Sequence, residues 1–179
     1  KSGKPAFVEE TFVGFEHARD LILELGGIPS YPTLADGVDP ICGFEETPEH
    51  LIGQIQSLGL LAAEFIPTRN EPEVLTEYVT RMRAAGMVIT AGTEHNTLDL
   101  IPIAPTCKGG TPIPERVADI FWEGACVVIA HQYLRSRGEI GLTDDQGQLN
   151  SRWQEPQEAI SAMALLGQQI LKAFHTITR

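Results

Sequence analysis

The pattern of apolar positions along the first ninety residues predicts a helix followed by a strand, and this unit occurs three times. Apolar residues at a 3.6-residue period predict each helix, a glycine ends it, and a short apolar run of strand length follows. Thr47 before Pro48 predicts a helix N-cap, and Asn70 with Glu73 predicts a capping box. The predicted helices and strands cover residues 9–25, 28–31, 47–58, 60–66, 70–85 and 87–91.

These units predict an α/β fold. Strands that alternate with helices and are apolar on both faces pair in parallel, because crossover helices cover both faces. Three units are well short of the eight of a closed barrel. We therefore expect an incomplete TIM-like barrel or a small parallel sheet with helices, followed by two C-terminal helices at 115–137 and 156–177. The expected division is 1–113 for the three units and 114–179 for a helical extension packed on them.

Composition and charge narrow the range of partners. The chain has 24 acidic and 13 basic residues and a formal net charge of -11, which repels nucleic acid and anionic lipid. No apolar run reaches the roughly 20 residues that cross a bilayer. Cys42, Cys107 and Cys126 have no metal-ligand or disulfide spacing, which indicates a reduced, cytoplasmic protein. We expect neither a nucleic-acid nor a membrane partner.

Chemically active side chains follow the predicted strands. In parallel α/β folds such groups gather at the carboxyl ends of the strands. Glu64 stands inside an apolar run, where a buried carboxylate is costly without a cation, a metal or several donors. It has two interpretations. In the first it is a metal ligand or general base, and in the second it is an outward-facing carboxylate on an edge strand or one paired with Arg69 or Arg81. The candidates at the strand ends and in the following loop are Tyr31, Glu64, Arg69, Glu94, His95, Asn96 and Lys108.

The remaining motifs are weaker indications of function than Glu64. Glu94 and His95 follow a strand and a glycine, and both carboxylate and imidazole bind divalent metals. His131 has strongly apolar neighbours, which favours a hydrogen-bonded core histidine over a ligand. The segment 107–110, Cys-Lys-Gly-Gly, lacks P-loop spacing, which favours a flexible turn over an anion cradle. Serine-hydrolase, zincin and dinucleotide-binding motifs do not occur in the chain.

Between Leu21 and Asn96, the order of motifs resembles the C-terminal half of the polymerase and histidinol phosphatase (PHP) family of metal-dependent phosphoesterases. The segments that carry the resemblance are Gly-Gly-Ile-Pro-Ser-Tyr-Pro at 26–32, Ala-Ala-Glu-Phe at 62–65 and Thr-Ala-Gly-Thr-Glu-His-Asn at 90–96. The resemblance implies a distorted barrel that holds a small cluster of divalent metals, with Glu64, Glu94 and His95 as metal ligands. Zn, Mn and Fe are the candidate metals.

The chain departs from the family pattern at several ligand positions. Tyr31 takes the place of a motif histidine, Glu94 that of an aspartate and Asn96 that of a final histidine, with His95 one position early. The family's His-x-His pair is absent from the 179 residues. We therefore expect either a first barrel half in sequence outside this chain, or a site that has decayed or been rebuilt.

The leading hypothesis is the C-terminal part of a PHP-like hydrolase of phosphate esters. Glu64 and His95 would be the catalytic residues, while Tyr31, Arg69, Asn96 and Lys108 would bind a small anionic substrate. One alternative is a non-catalytic module that binds a ligand or assembles subunits, and another is an isomerase or aldolase-like barrel segment. The apolar residues of the two C-terminal helices predict that these helices pack either on the sheet or on a partner subunit, and the second case would give a homo-oligomer.

Overall fold

The computed structural model describes residues 3, 5, 8–9, 11–93, 95, 98, 100 and 102–177. These residues form five helices, three strands and several short 3-10 turns. In chain order the helices and strands are α1 Phe15–Glu24, β1 Ser30–Thr33, α2 Pro48–Ser57, β2 Ala62–Phe65, α3 Pro72–Ala84, β3 Val88–Ala91, α4 Glu115–Ser136 and α5 Pro156–Ile177.

The elements follow the predicted order, with differences at the helix starts. At α2, Thr47 Oγ1 accepts the His50 N–H at 3.2 Å and Pro48 opens the helix, as expected. The capping box at Asn70 was a wrong prediction. Glu71 is the N-cap of α3 because Pro72 occupies the first helical position, and the Asn70 side chain is bonded elsewhere. The first helix begins at Phe15, six residues later than predicted.

The three strands form one parallel sheet in the order β1-β2-β3, which confirms the α/β fold as an open sheet rather than a closed barrel. In register, Pro32 lies beside Glu64 and Glu64 beside Thr90. Pro32 has no N–H, and its place on an outer strand avoids the lost ladder bond that a central position would cost. The central strand β2 therefore sets the register of both neighbours.

The two faces of the sheet support two separate hydrophobic clusters. One face carries Ala63, Phe65 and Ile89, which pack against the apolar sides of α2 and α3. The other carries Ala62 and Val88, which pack against α4 and α5. The alternation of side chains along a strand explains this division, since neighbouring residues point to opposite faces. Both faces are thus covered at the amino-terminal half of the sheet.

Helix α4 contributes side chains to both hydrophobic clusters, because it lies against β3, an outer strand of the sheet. Val117 and Phe121 join the first cluster, and Val127 and Ala130 join the second. At Gly124 the helix approaches so closely that a Cβ would overlap the carbonyl oxygen of Ile89. The helix therefore shields the β3 side of the sheet, a common protection of a sheet edge. In the described part of the chain, no helix has both the length and the apolar character of a membrane span.

Candidate functional site

Glu64 lies on the central strand, at the carboxyl half of the sheet, and its side chain is exposed. It points to the same face as Ala62, but α4 and α5 cover only Ala62 and leave the Glu64 level open. Its strand neighbours on this face, Pro32 and Thr90, are exposed and half-buried. The desolvation cost expected for a carboxylate in a buried strand therefore does not arise.

The exposure of Glu64 agrees with an outward-facing carboxylate, with one difference from the sequence prediction. The residue belongs to the central strand and not to an edge. Arg81, one of its two predicted partners, instead forms ion pairs with Glu49 and with Glu77. A carboxylate that is exposed on a central strand is unusual, because the faces of parallel sheets are normally covered.

The carboxylate of Glu64 lies over Gly92, directly after β3. A Cβ at position 92 would overlap Glu64 Oε1, so a side chain here would displace the flexible end of Glu64. Three residues further, exposed His95 pairs through Nδ1 with Thr93 Oγ1 at 2.8 Å. Three residues span at most about 11 Å of chain. The structure therefore brings the start of the 92–95 segment to Glu64, while Glu94 and Asn96 lie outside the described residues.

Tyr31 lies on the opposite face of the sheet from Glu64. Its strand partner is Ala63, its ring stacks on Phe44 with centroids 5.3 Å apart, and its hydroxyl donates to Glu45 Oε1 at 2.9 Å. Burial, together with the hydrogen bond to Glu45, raises the pKa of the Tyr31 phenol. Tyr31 and Glu64 were predicted to share one site, but the alternation of strand side chains separates them.

Glu45 is the most buried carboxylate in this region, with 2% of its surface exposed. Its Oε2 accepts the backbone N–H groups of Leu34 and Ala35 at 3.0 and 2.5 Å. The backbone of Leu34 is in the right-handed helical region and that of Ala35 in the left-handed region (φ 46°). Consecutive N–H groups in this arrangement, called a nest, converge on one anion. The Tyr78 hydroxyl donates to the Glu45 backbone carbonyl at 2.5 Å. Glu45 thus ties the loop after β1 to α3.

Sequence reasoning missed Glu45 because it lies in a polar, turn-rich stretch where an acidic residue predicts exposure. Only the fold places the nest of residues 34 and 35 opposite it. The left-handed Ala35 costs on the order of 1 kcal/mol or more, and the charge-assisted bonds to Glu45 offset that cost. The carboxylate is therefore a fixed part of the loop structure.

Asn70 joins the loops that leave β1 and β2. It is fully buried, and its Nδ2 donates to the Leu34 carbonyl at 2.7 Å and to Asp36 Oδ1 at 2.8 Å. The other oxygen of Asp36 accepts the N–H of Glu71 at 3.1 Å. Asn70 and Asp36 therefore hold two strand ends together, on the side of the sheet where Tyr31 lies.

Lys108 joins the same group of loops. Its N–H donates to the Asn70 carbonyl at 3.0 Å, and its Nζ lies 3.1 Å from Glu71 Oε1. The hydrogen bond and the charge of Glu71 raise the pKa of the Lys108 ammonium. Residues Lys108–Gly110 form a 3-10 turn, in agreement with the turn expected there. Arg69 is half-buried and packs with its Cβ against Gly37.

His131 is a core residue, as its apolar neighbours predicted. It is 1% exposed, its Nδ1 accepts the Leu142 N–H at 3.0 Å, and its Nε2 lies 3.1 Å from the Gly26 carbonyl. Because Nδ1 accepts, the ring is neutral and Nε2 carries the proton that it donates to Gly26. Burial lowers the pKa of this imidazole. The side chain joins α4 to two loops.

The predicted site residues therefore fall into two groups. Glu64 and the 92–95 segment lie at the open sheet face, whereas Tyr31 belongs to the opposite face and Lys108 joins the loops on that side. Among the described residues, no group of three or more His, Cys, Asp or Glu side chains is arranged to hold a metal ion. The metal set of Glu64, Glu94 and His95 stays a prediction.

Searches among protein-family models, curated proteins and solved structures found nothing that matches this chain.

Proposed function

We propose that the open sheet face around Glu64 is one part of a divalent-metal centre that hydrolyses a phosphate ester. The observation that carries this proposal is the exposed Glu64 carboxylate on a central strand, lying over Gly92 at the start of the segment that contains His95. Function in parallel α/β folds concentrates at this edge of the sheet. An uncovered polar face at that edge is a better place for substrate than for packing.

The donor types present fit a divalent metal, although their number is small. Carboxylate and imidazole together suit Zn, Mn or Fe. Glu64 and His95 would hold the metal, with Glu94 as a third ligand, and the metal would lower the pKa of a bound water. Further ligands would come from an N-terminal part that this chain does not contain, where the resemblance to the PHP family implies a His-x-His pair. Of the two predicted cations, Arg69 lies in the turn after β2 and is the candidate for an anionic substrate. Lys108 joins the loops on the other side, with its Nζ 3.1 Å from Glu71 Oε1.

The test compares metal content and phosphomonoesterase activity in the longest chain that the gene encodes. We expect Glu64→Gln and His95→Ala each to lower bound Mn or Zn and activity at least tenfold, because even the loss of a residue that only orients a metal ligand typically costs about tenfold or more. Glu158→Gln is the matched control. It removes the same charge from an exposed site on α5. The first residue of α5, Pro156, packs against Gly86 just before β3, so this site lies near the amino-terminal edge of the sheet, away from Glu64. Unchanged metal and activity in both site variants would contradict the proposal.

A non-catalytic binding or assembly module is the second candidate function. The observation that favours it is the hydrogen bond from Tyr31 to Glu45, because the residue at the place of the family's motif histidine serves the loop structure instead. In this case the full gene product binds no metal and hydrolyses no phosphate ester, with or without Glu64.

We also propose a reduced, cytoplasmic setting, since all three cysteines are free thiols.

A further inference from the structure

The outer surface of α4 and α5 carries a groove of about 580 Å³. Trp122 from α4 and Leu165 from α5 line it, with 53% and 60% of their surfaces exposed. Large apolar side chains that are exposed next to one another mark interaction surfaces more often than isolated ones do. Both helices are already anchored to the sheet through their other sides, so the groove is not required for the core.

The groove is nearly free of net charge, although the chain carries -11. On α5, residues 159–171 contain no charged side chain, including the exposed positions 161, 162, 165 and 169. On α4, Glu123 is neutralised within the chain by Arg83, whose Nε lies 2.5 Å from Glu123 Oε2. Depletion of charge is a mark of interface centres. In an acidic protein, such a face is also where two identical chains repel least.

Two opposite charges remain at the groove, Arg116 and Asp119. They lie three residues apart on α4, both are exposed, and neither forms an ion pair with another residue that the structure describes. In an interface with two-fold symmetry, residue i of one copy meets residue j of the other and the reverse. Arg116 of one chain can therefore pair with Asp119 of a second chain twice. The surface is complementary to itself in charge.

We propose that the α4/α5 groove is the interface of a symmetric homodimer of this chain. Trp122 and Leu165 form its apolar centre, and the pairs between Arg116 and Asp119 flank it and set the orientation. This arrangement does not involve Glu64 or the open sheet face, so it holds or fails independently of the proposed hydrolase function. A second copy satisfies the groove's charges without any further partner.

Sedimentation velocity over a concentration series tests the dimer. We expect the wild type to approach twice the 19.6 kDa of one chain as concentration rises. Leu165→Glu should weaken the association at least tenfold, because it places a charge in a desolvated centre. Ile140→Glu is the matched control, since Ile140 is 51% exposed and lies outside the groove. Circular dichroism verifies that both variants are folded. A wild type that stays monomeric overturns the proposal, and the partner that binds the groove would then be a different protein.

A charge exchange tests the orientation. Arg116→Asp and Asp119→Arg should each weaken self-association, since like charges then meet across the two-fold axis. An equimolar mixture of the two variants restores both opposite-charge pairs, and so does the double variant. We expect the mixture to associate between about twofold and thirtyfold more tightly than either variant alone, the range of two exposed ion pairs. A mixture no tighter than its components would overturn the proposed symmetric interface.

Discussion

His131 provides the sharpest test of how the loops are attached to the helical layer. The ring bridges the Gly26 carbonyl and the Leu142 N–H from within α4. Replacing it with alanine leaves a buried donor without a partner, which costs about 1–3 kcal/mol. The lost packing of a ring that is 1% exposed adds a cost of similar size. We therefore expect His131→Ala to lower the free energy of unfolding by about 2–6 kcal/mol.

The same contacts make the stabilisation depend on pH. The folded pKa of His131 lies below its ordinary value of about 6.5, chiefly through burial, with Arg135 acting in the same direction. Arg135 is itself paired with Asp145 at 2.5 Å. The contribution of the neutral ring is complete above pH 6.5. It is lost as the pH falls towards the lower folded pKa, because the unfolded chain takes up a proton first, at up to about 1.4 kcal/mol per pH unit.

Urea denaturation followed by circular dichroism between pH 8 and 5 measures both effects. His131→Gln is the control, because its amide can donate and accept but does not titrate. We expect the wild type to lose its stability advantage over this variant as the pH falls below 6.5. Parallel stability curves across the range would refute the role of the buried neutral imidazole. A loss below about 1 kcal/mol in His131→Ala would refute the contribution of its two hydrogen bonds.

Two further substitutions test the packing and the buried carboxylate. Gly124→Ala should destabilise the protein by about 1–3 kcal/mol, because its Cβ would overlap the backbone of β3, whereas Gly53→Ala, in an open position on α2, should stabilise it by up to about 1 kcal/mol. Equal effects in thermal denaturation would contradict the close approach of α4. Tyr31→Phe removes one donor from the Glu45 carboxylate and should cost about 1.5–3 kcal/mol, with Tyr133→Phe as an exposed control. A loss no larger than the control's would show that the bond contributes little.

The local pattern predicted the secondary structure well because its signals act over a few residues. Each of α2 and α3 ends before a glycine in the left-handed region, Gly59 and Gly86, and Thr47 caps α2 as its side chain predicted. The start of α3 was harder, because Asn70 can cap a helix or bond elsewhere. The competing acceptors, Leu34 and Asp36, are more than thirty residues away along the chain.

The candidate site was predictable only in part. The carboxyl edge of the parallel sheet was the expected place for reactive groups, and Glu64 and His95 lie near it. The sequence could not indicate on which face each side chain lies, because a shift of one residue in register exchanges the faces. This is why Tyr31 and Glu64 were predicted to share one site. Glu45 gave no signal at all, since its donors are backbone groups brought opposite it by the loop.

The amino-acid sequence by itself determined the α/β class, the C-terminal ends of the first three helices and the buried state of His131, because periodicity, capping and apolar neighbours are local properties. Tertiary structure decided that the sheet is open, that α4 covers β3 through Gly124, and that Glu64 is exposed on a central strand. It also placed Trp122 and Leu165 in one groove. These outcomes depend on contacts between elements far apart in the chain, which no short window of sequence contains.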